Sequence, residues 1–208
     1  MKSYLIRPAG ALVLALALAS CGGGDDDKFT VQGSVTGLEY TGLVLQNNGG
    51  QDLPVNPPAT AGQAVKFVFP NKIEYGEVYK VSVKNPPAHQ KCTTLAESDT
   101  AGRLSSIDVL IECVRQTHAL GGTISGLTKD TKGLVLANGS NTGTFTPNLE
   151  TITADKPVDY RLLEVEYGVT YSVSVISQPE GRFCTVANAS GTMGDSDITN
   201  VNITCVPR

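Results

Sequence analysis

Four cysteines stand in two pairs with one shared interval: Cys92 and Cys113, then Cys184 and Cys205. Paired thiols can bridge, hold a soft metal or serve redox chemistry, and their surroundings sort among these. Zinc needs three or four close sulfur or imidazole ligands, and the chain has no Cys-x-x-Cys pair. His89 lies near Cys92, but Glu180-Gly181 occupies that neighbourhood beside Cys184, so no metal centre is expected. Four cysteines allow three pairings. The repeated interval favours Cys92–Cys113 and Cys184–Cys205, because each half of the chain then folds by itself. Closing a loop of about 20 residues stabilises by ~3 kcal/mol in the chain-entropy picture. Such bonds persist in an oxidising compartment outside the cytoplasm.

Other chemistry is sparse. A nucleophile–histidine pair needs a proton-shuttling imidazole, and only His89 and His118 are present, neither beside a recognisable partner motif. There is no Gly-x-Ser-x-Gly elbow, phosphate-binding glycine loop or dinucleotide fingerprint. Gly194-Asp195-Ser196-Asp197 offers alternate carboxylates to a hard cation, but further oxygen ligands at fixed spacing are missing, which reads as a turn. The expectation is a protein without catalytic residues, metal or cofactor. Mature, it would carry 14 basic and 20 acidic side chains with no Lys/Arg cluster, a poor match to nucleic acid. Sugar-binding sites stack rings on exposed aromatics; Trp is absent, and Tyr40 and Tyr75 are the aromatics expected at the surface. Asn47, Asn48, Asn138 and Asn141, in two matching turns, complete the candidate ligand-contacting set with Tyr40.

The fifth cysteine has a different setting. Lys2 and Arg7 precede an apolar run, Ala9 to Ala19, too short for a comfortable span of ~20 residues. It ends in Leu18-Ala19-Ser20-Cys21, which resembles a bacterial lipobox, so residues 1–20 are expected to be cleaved and Cys21 acylated. Each buried CH₂ of an acyl chain contributes ~0.8 kcal/mol, and stable anchoring takes more than one chain. Residues 21–28, with Gly22-Gly23-Gly24-Asp25-Asp26-Asp27, read as a solvated tether. Gly22 stands where a retention-type Asp would sit, so the resemblance to Gram-negative lipoproteins implies the outer membrane. The 188 residues left after cleavage fit one domain or two small ones.

The elements behind the cysteines repeat. Gly33-Ser34-Val35-Thr36-Gly37-Leu38 recurs as Gly122-Thr123-Ile124-Ser125-Gly126-Leu127, and Gly42-Leu43-Val44-Leu45-Gln46-Asn47 as Gly133-Leu134-Val135-Leu136-Ala137-Asn138. Glu74-Tyr75-Gly76 with Tyr79-Lys80-Val81-Ser82-Val83 recurs as Glu166-Tyr167-Gly168 with Tyr171-Ser172-Val173-Ser174-Val175. Pro87 and both cysteines recur at the same offset of 92. Two copies of one unit follow, at 29–116 and 117–208. In the first copy strands are expected at Phe29–Val35, Leu43–Gln46, Val65–Phe69, Val78–Val83 and Ile107–Cys113, separated by Asn/Gly/Pro turns. No window shows a sustained helical period. The expected fold is all-β, two tandem antiparallel β-sandwiches. Tyr79 and Tyr171 stand where a tyrosine corner would place them; the alternative is a strand aromatic with its hydroxyl at the surface.

This series, Gly-x-Val/Ile-x-Gly-Leu, Leu-Val-Leu-x-Asn, Tyr-x-Val-x-Val, Pro, Cys and a closing Cys, resembles the immunoglobulin-like repeats that occur in tandem in bacterial envelope lipoproteins and adhesin-like chains. The resemblance covers residues 29 to 208 and implies a structural or adhesive module with no catalytic residues. Its partner would be an envelope or matrix protein, met through sheet edges and loops. A glycan or peptidoglycan fragment bound by the asparagine loops is the alternative.

Overall fold

The computed structural model describes residues 28–103, 106–139, 144–148 and 156–208. Cys21, the tether's first residues and Asn141 lie outside them. Among the described residues no helix is long and apolar enough to cross a membrane.

In the first domain the strands are β1 (Lys28–Phe29), β2 (Val31–Thr36), β3 (Leu43–Asn47), β4 (Gln51–Val55) and β5 (Val65–Val68). They continue with β6 (Ile73–Glu74), β7 (Val78–Asn85), β8 (Gln90–Thr94), β9 (Ser98–Thr100) and β10 (Ile107–Arg115). The second domain repeats the plan: β11 (Thr117–His118), β12 (Gly121–Ser125), β13 (Val135–Asn138), β14 (Thr144–Phe145), β15 (Val158–Arg161), β16 (Val165–Glu166), β17 (Thr170–Ser177), β18 (Arg182–Val186), β19 (Ser190–Thr192) and β20 (Ile203–Pro207). Each domain stacks one four-stranded sheet on another. The orders are β5-β2-β10-β8 on β4-β3-β7-β9, then β15-β12-β20-β18 on β14-β13-β17-β19. Short pairs, β1 with β6 and β11 with β16, close the leading end of each.

Alternation of side chains builds the cores. Along β10, Ile107, Val109, Ile111 and Cys113 turn inward while Asp108, Leu110 and Glu112 face out. They meet Val31 and Val35 from β2, and Leu43, Leu45, Tyr79 and Val81 from the opposite sheet. Full burial of such a side chain contributes roughly 1.5–3 kcal/mol. Ile124, Leu134, Leu136, Tyr160 and Ile203 do the same in the second domain, joined by a second cluster around Leu120, Tyr171, Val173, Met193 and Val201. A register slip in the β3–β7 ladder at Val44/Leu45 recurs in β13–β17 at Val135/Leu136, so even an irregularity is copied.

Several features differ from the sequence reading. The sandwich is not wholly antiparallel: β2 runs parallel to β10, and β12 parallel to β20. Strands β4, β6, β8 and β9 were not among those expected, and in β4 Pro54 runs against a strand. Proline is tolerated there because β4 is the outer member of its sheet. Tyr79 and Tyr171 are core aromatics whose rings are buried. Neither hydroxyl makes a hydrogen bond among the described residues, so they are strand aromatics and not tyrosine corners. Burial first, and then the Asp99 carboxylate, pushes the Tyr79 phenol above its ordinary pKa.

Candidate functional site

Cys92 lies directly opposite Cys113 on β8 and β10, and Cys184 opposite Cys205 on β18 and β20. Both pairs are bonded, each spanning 21 residues. Each bridge ties an outer strand to the strand at the heart of the sheet.

The richest cluster of polar and aromatic side chains sits where the two domains meet. Only Gln116 separates β10 from β11. Its N–H donates to the His89 carbonyl (2.9 Å) and its carbonyl accepts from the Tyr167 N–H (2.8 Å), so one residue is bonded to both domains. The His89 ring stacks on the Tyr167 ring, centroids 3.8 Å apart and planes 3° from parallel. His89 Nδ1 lies 2.6 Å from Asp195 Oδ1. Tyr40 meets both rings edge-on, at 5.1 Å from His89 and 5.9 Å from Tyr167. Beneath them the buried Gln90 side chain accepts from the Glu39 and Tyr40 N–H groups and donates to the Gly37 carbonyl. Arg115 donates to Glu39 at 2.7 Å, and that bond holds its guanidinium above the usual pKa.

Backbone conformation shows how much His89 is committed here. Its φ is +58°, a left-handed geometry that costs a non-glycine residue ~1 kcal/mol or more. Its counterpart in the second copy is Gly181, at φ +67°, accepting from Arg208 N–H as His89 accepts from Gln116. Where only backbone matters the chain uses glycine; where a ring must reach the next domain it uses histidine. Aromatic pairs of this kind contribute about 0.5–1.5 kcal/mol beyond their buried area. A double-mutant cycle of His89→Ala and Tyr167→Ala is therefore expected to show coupling of ~1 kcal/mol in urea unfolding, and additive losses would remove the junction's role in stability.

The sequence-expected contact residues fall into place differently. Tyr40 is half-buried in this junction and not displayed on a loop. Asn47 is 1% exposed, at the end of β3, with Oδ1 accepting from Lys80 N–H. Asn138 occupies the same place in β13 and its Oδ1 accepts from Ser172 N–H at 2.8 Å. Asn48 is exposed, but its amide donates to the Val78 carbonyl and accepts from Lys80 N–H. These asparagines tie the ends of the β3–β7 and β13–β17 ladders, because a short amide reaches the neighbouring strand's backbone N–H where the ladder stops. Tyr75 is the surface aromatic, 71% exposed, its ring lying over Gly102.

His89 and His118 are only partly exposed. The Asp195–Asp197 turn is occupied by the chain's own groups. Asp195 meets His89, while Asp197 accepts from Ala119 N–H and pairs with Arg161 at 2.7 Å. His118 Nδ1 stands 3.9 Å from Asp197.

A cavity of about 360 Å³ opens beside this turn, lined by Gly121, Gly122, Tyr160, Arg161 and Ile198 among others. Tyr160 donates to the Val201 carbonyl at 2.7 Å, and burial pushes its phenol up to about 12. The folded state therefore holds this proton where the unfolded chain, near 10, has released it. That stability is fully present below pH ~10 and lost as pH rises towards 12. Tyr160→Phe is expected to flatten the fall of the second domain's melting temperature between pH 10 and 12, at a cost of ~1 kcal/mol near neutrality for the lost bond. Melting curves across that range, followed by circular dichroism, check it.

Fold and site together define a tandem β-sandwich protein: two disulfide-bonded domains of one plan, joined through a stacked aromatic and hydrogen-bonded seam. No family model matches the chain, and no curated protein does. Among solved structures it is similar to a streptococcal ancillary pilin, with 15% sequence identity and a TM-score of 0.28. That similarity covers 86% of this chain and 63% of the pilin chain.

Proposed function

We propose that this protein is a lipid-anchored envelope module of the immunoglobulin-like repeat type, working by display and contact and not by catalysis. The observation that carries this is the seam. Stacking, a His89–Asp195 hydrogen bond and a one-residue connection hold two stapled sandwiches in series, which suits a spacer that presents surfaces at a fixed distance from an anchor. Cys21, at the end of its signal-like segment, supplies that anchor, and Gly22 after it favours the outer membrane. Disulfides fit an oxidising space outside the cytoplasm. The contacts themselves belong to sheet edges and loops facing an envelope or matrix protein. The glycan alternative loses support, because Tyr40, Asn47, Asn48 and Asn138 are engaged within the chain.

Labelling cells with a radioactive fatty acid tests the anchor. The intact chain is expected to take up label and sediment with membranes, and Cys21→Ala to do neither. Equal membrane association of both forms would defeat this reading. Protease shaving of intact cells then reports which side the domains occupy, and a glycan array in parallel would revive the alternative if it gave a specific hit.

A further inference from the structure

The leading and closing long strands of each domain lie side by side and point the same way. In the first domain β2 and β10 pair in parallel over six positions, from Val31 opposite Ile107 to Thr36 opposite Glu112. The chain thus enters β2 at one pole and leaves β10 at the other. Tension on its two ends slides these strands along each other, loading every hydrogen bond of the ladder at once. A hairpin pulled open from one end would part its bonds singly. β8 flanks β10 on its far side and is bonded to it covalently through Cys92–Cys113.

In the second domain the same ladder is broken. β12 and β20 pair at Ile124–Ile203 and Ser125–Thr204 only, with a separate bridge at Leu120–Ile198. Between them the Asn202 side chain, and not a strand carbonyl, accepts from Thr123 N–H at 3.1 Å. Gly121 accepts from Val201 N–H at 3.1 Å. The continuous paired run is two positions long against six in the first domain, and in the gap before it the Thr123 N–H is held by a side chain and not by the opposing backbone.

We infer that this chain is a tension-transmitting strut in which the parallel β2–β10 ladder makes the first domain the mechanically stronger unit and the interrupted β12–β20 ladder makes the second yield first. The single residue between β10 and β11 leaves no slack where the two meet. The disulfides add a stop. Residues between Cys92 and Cys113 stay outside the stretched path, so the opened domain extends by less than its full contour. Where in the cell the pull arises rests on the anchored-contact reading; the mechanical order does not.

Single-molecule stretching of the unacylated chain from residue 21 onward, held through the Cys21 thiol and its C-terminal end, reads this directly. Forced unfolding is governed by the unfolding rate under load. Two rupture events are expected. Replacing Cys92 and Cys113 with alanine lengthens the first domain's event by about 70 Å of contour, from 21 residues at 3.3–3.6 Å each, and so identifies it. It is expected to be the higher-force event. Asn202→Ala is expected to lower the other event and leave this one unchanged. Rupture of the first domain before the second, or extension of both without resolvable events, would overturn the inference. Loss of the lipid label alone would sink the anchoring and leave the force order standing.

Discussion

Replacing Gly37 with alanine is expected to destabilise the first domain by about 3–5 kcal/mol, enough to remove much of a small domain's margin. Two costs coincide at this position. Gly37 follows β2 with φ +69°, where a side chain is strained by ~1–2 kcal/mol. An added Cβ would also lie 2.2 Å from the Cys113 carbonyl oxygen. That carbonyl cannot retreat, because Cys113 is bonded to Cys92 and sits in the β8–β10 ladder. Gly126 repeats the arrangement against the Cys205 carbonyl, at φ +75°. Gly76 supplies the control: its φ is +85°, but nothing lies within 4 Å of an added Cβ. Gly76→Ala should therefore cost only the backbone strain. Urea unfolding of the three chains measures the difference, with the second domain's transition as an internal reference. Equal losses at the two glycines would show that the seam spreads freely and that the close approach carries no energy.

Those glycines were visible as repeated letters, and the structure supplies their reason. Much of the fold was legible in the same way. Alternation at Tyr79-Lys80-Val81 gives the inward and outward faces that β7 shows, and the paired cysteine interval gives the bridges. What alternation cannot supply is direction. It says which side chains face the core but not which strand lies next door, so the parallel β2–β10 and β12–β20 seams had no sequence signal. β4 was hidden by Pro54, whose usual meaning is reversed at a sheet margin.

The junction was missed for a different reason. Comparing the copies highlights what they share, and apart from Tyr167, which repeats Tyr75, this joint is built from what they do not. His89 stands against Gly181, and Asp195 against Arg103 at the offset of 92. The closing end of the first domain meets the second domain through His89. Residues unique to one copy, at positions where the copies otherwise align, were the available signal. Asn47 and Asn138 show the opposite error. Asparagine in a turn-like run suggests an exposed ligand donor, whereas both end strands and turn their amide oxygens to backbone N–H groups of the neighbouring strand.

Removing one disulfide is expected to cost about 3 kcal/mol in its own domain and nothing in the other. Cys92→Ala with Cys113→Ala frees a 21-residue loop in the unfolded chain, and Cys184→Ala with Cys205→Ala frees one of equal length. Since the entropy gained by the unfolded state depends on loop length, the two losses should match even though the domains differ in detail. For domains of this size each kcal/mol shifts the melting temperature by ~4–8 °C, so a fall of roughly 12–24 °C should appear in one transition at a time. The Cys113, Cys184 and Cys205 side chains are buried beside the cores, and alanine leaves a small void there, adding to the loss. Calorimetry of the two double variants checks the match. A loss in one domain several times that in the other would mean that local packing, and not loop closure, sets the worth of the bridge. A shift in both transitions from one pair of substitutions would mean that the seam at His89 and Tyr167 couples the domains into one folding unit.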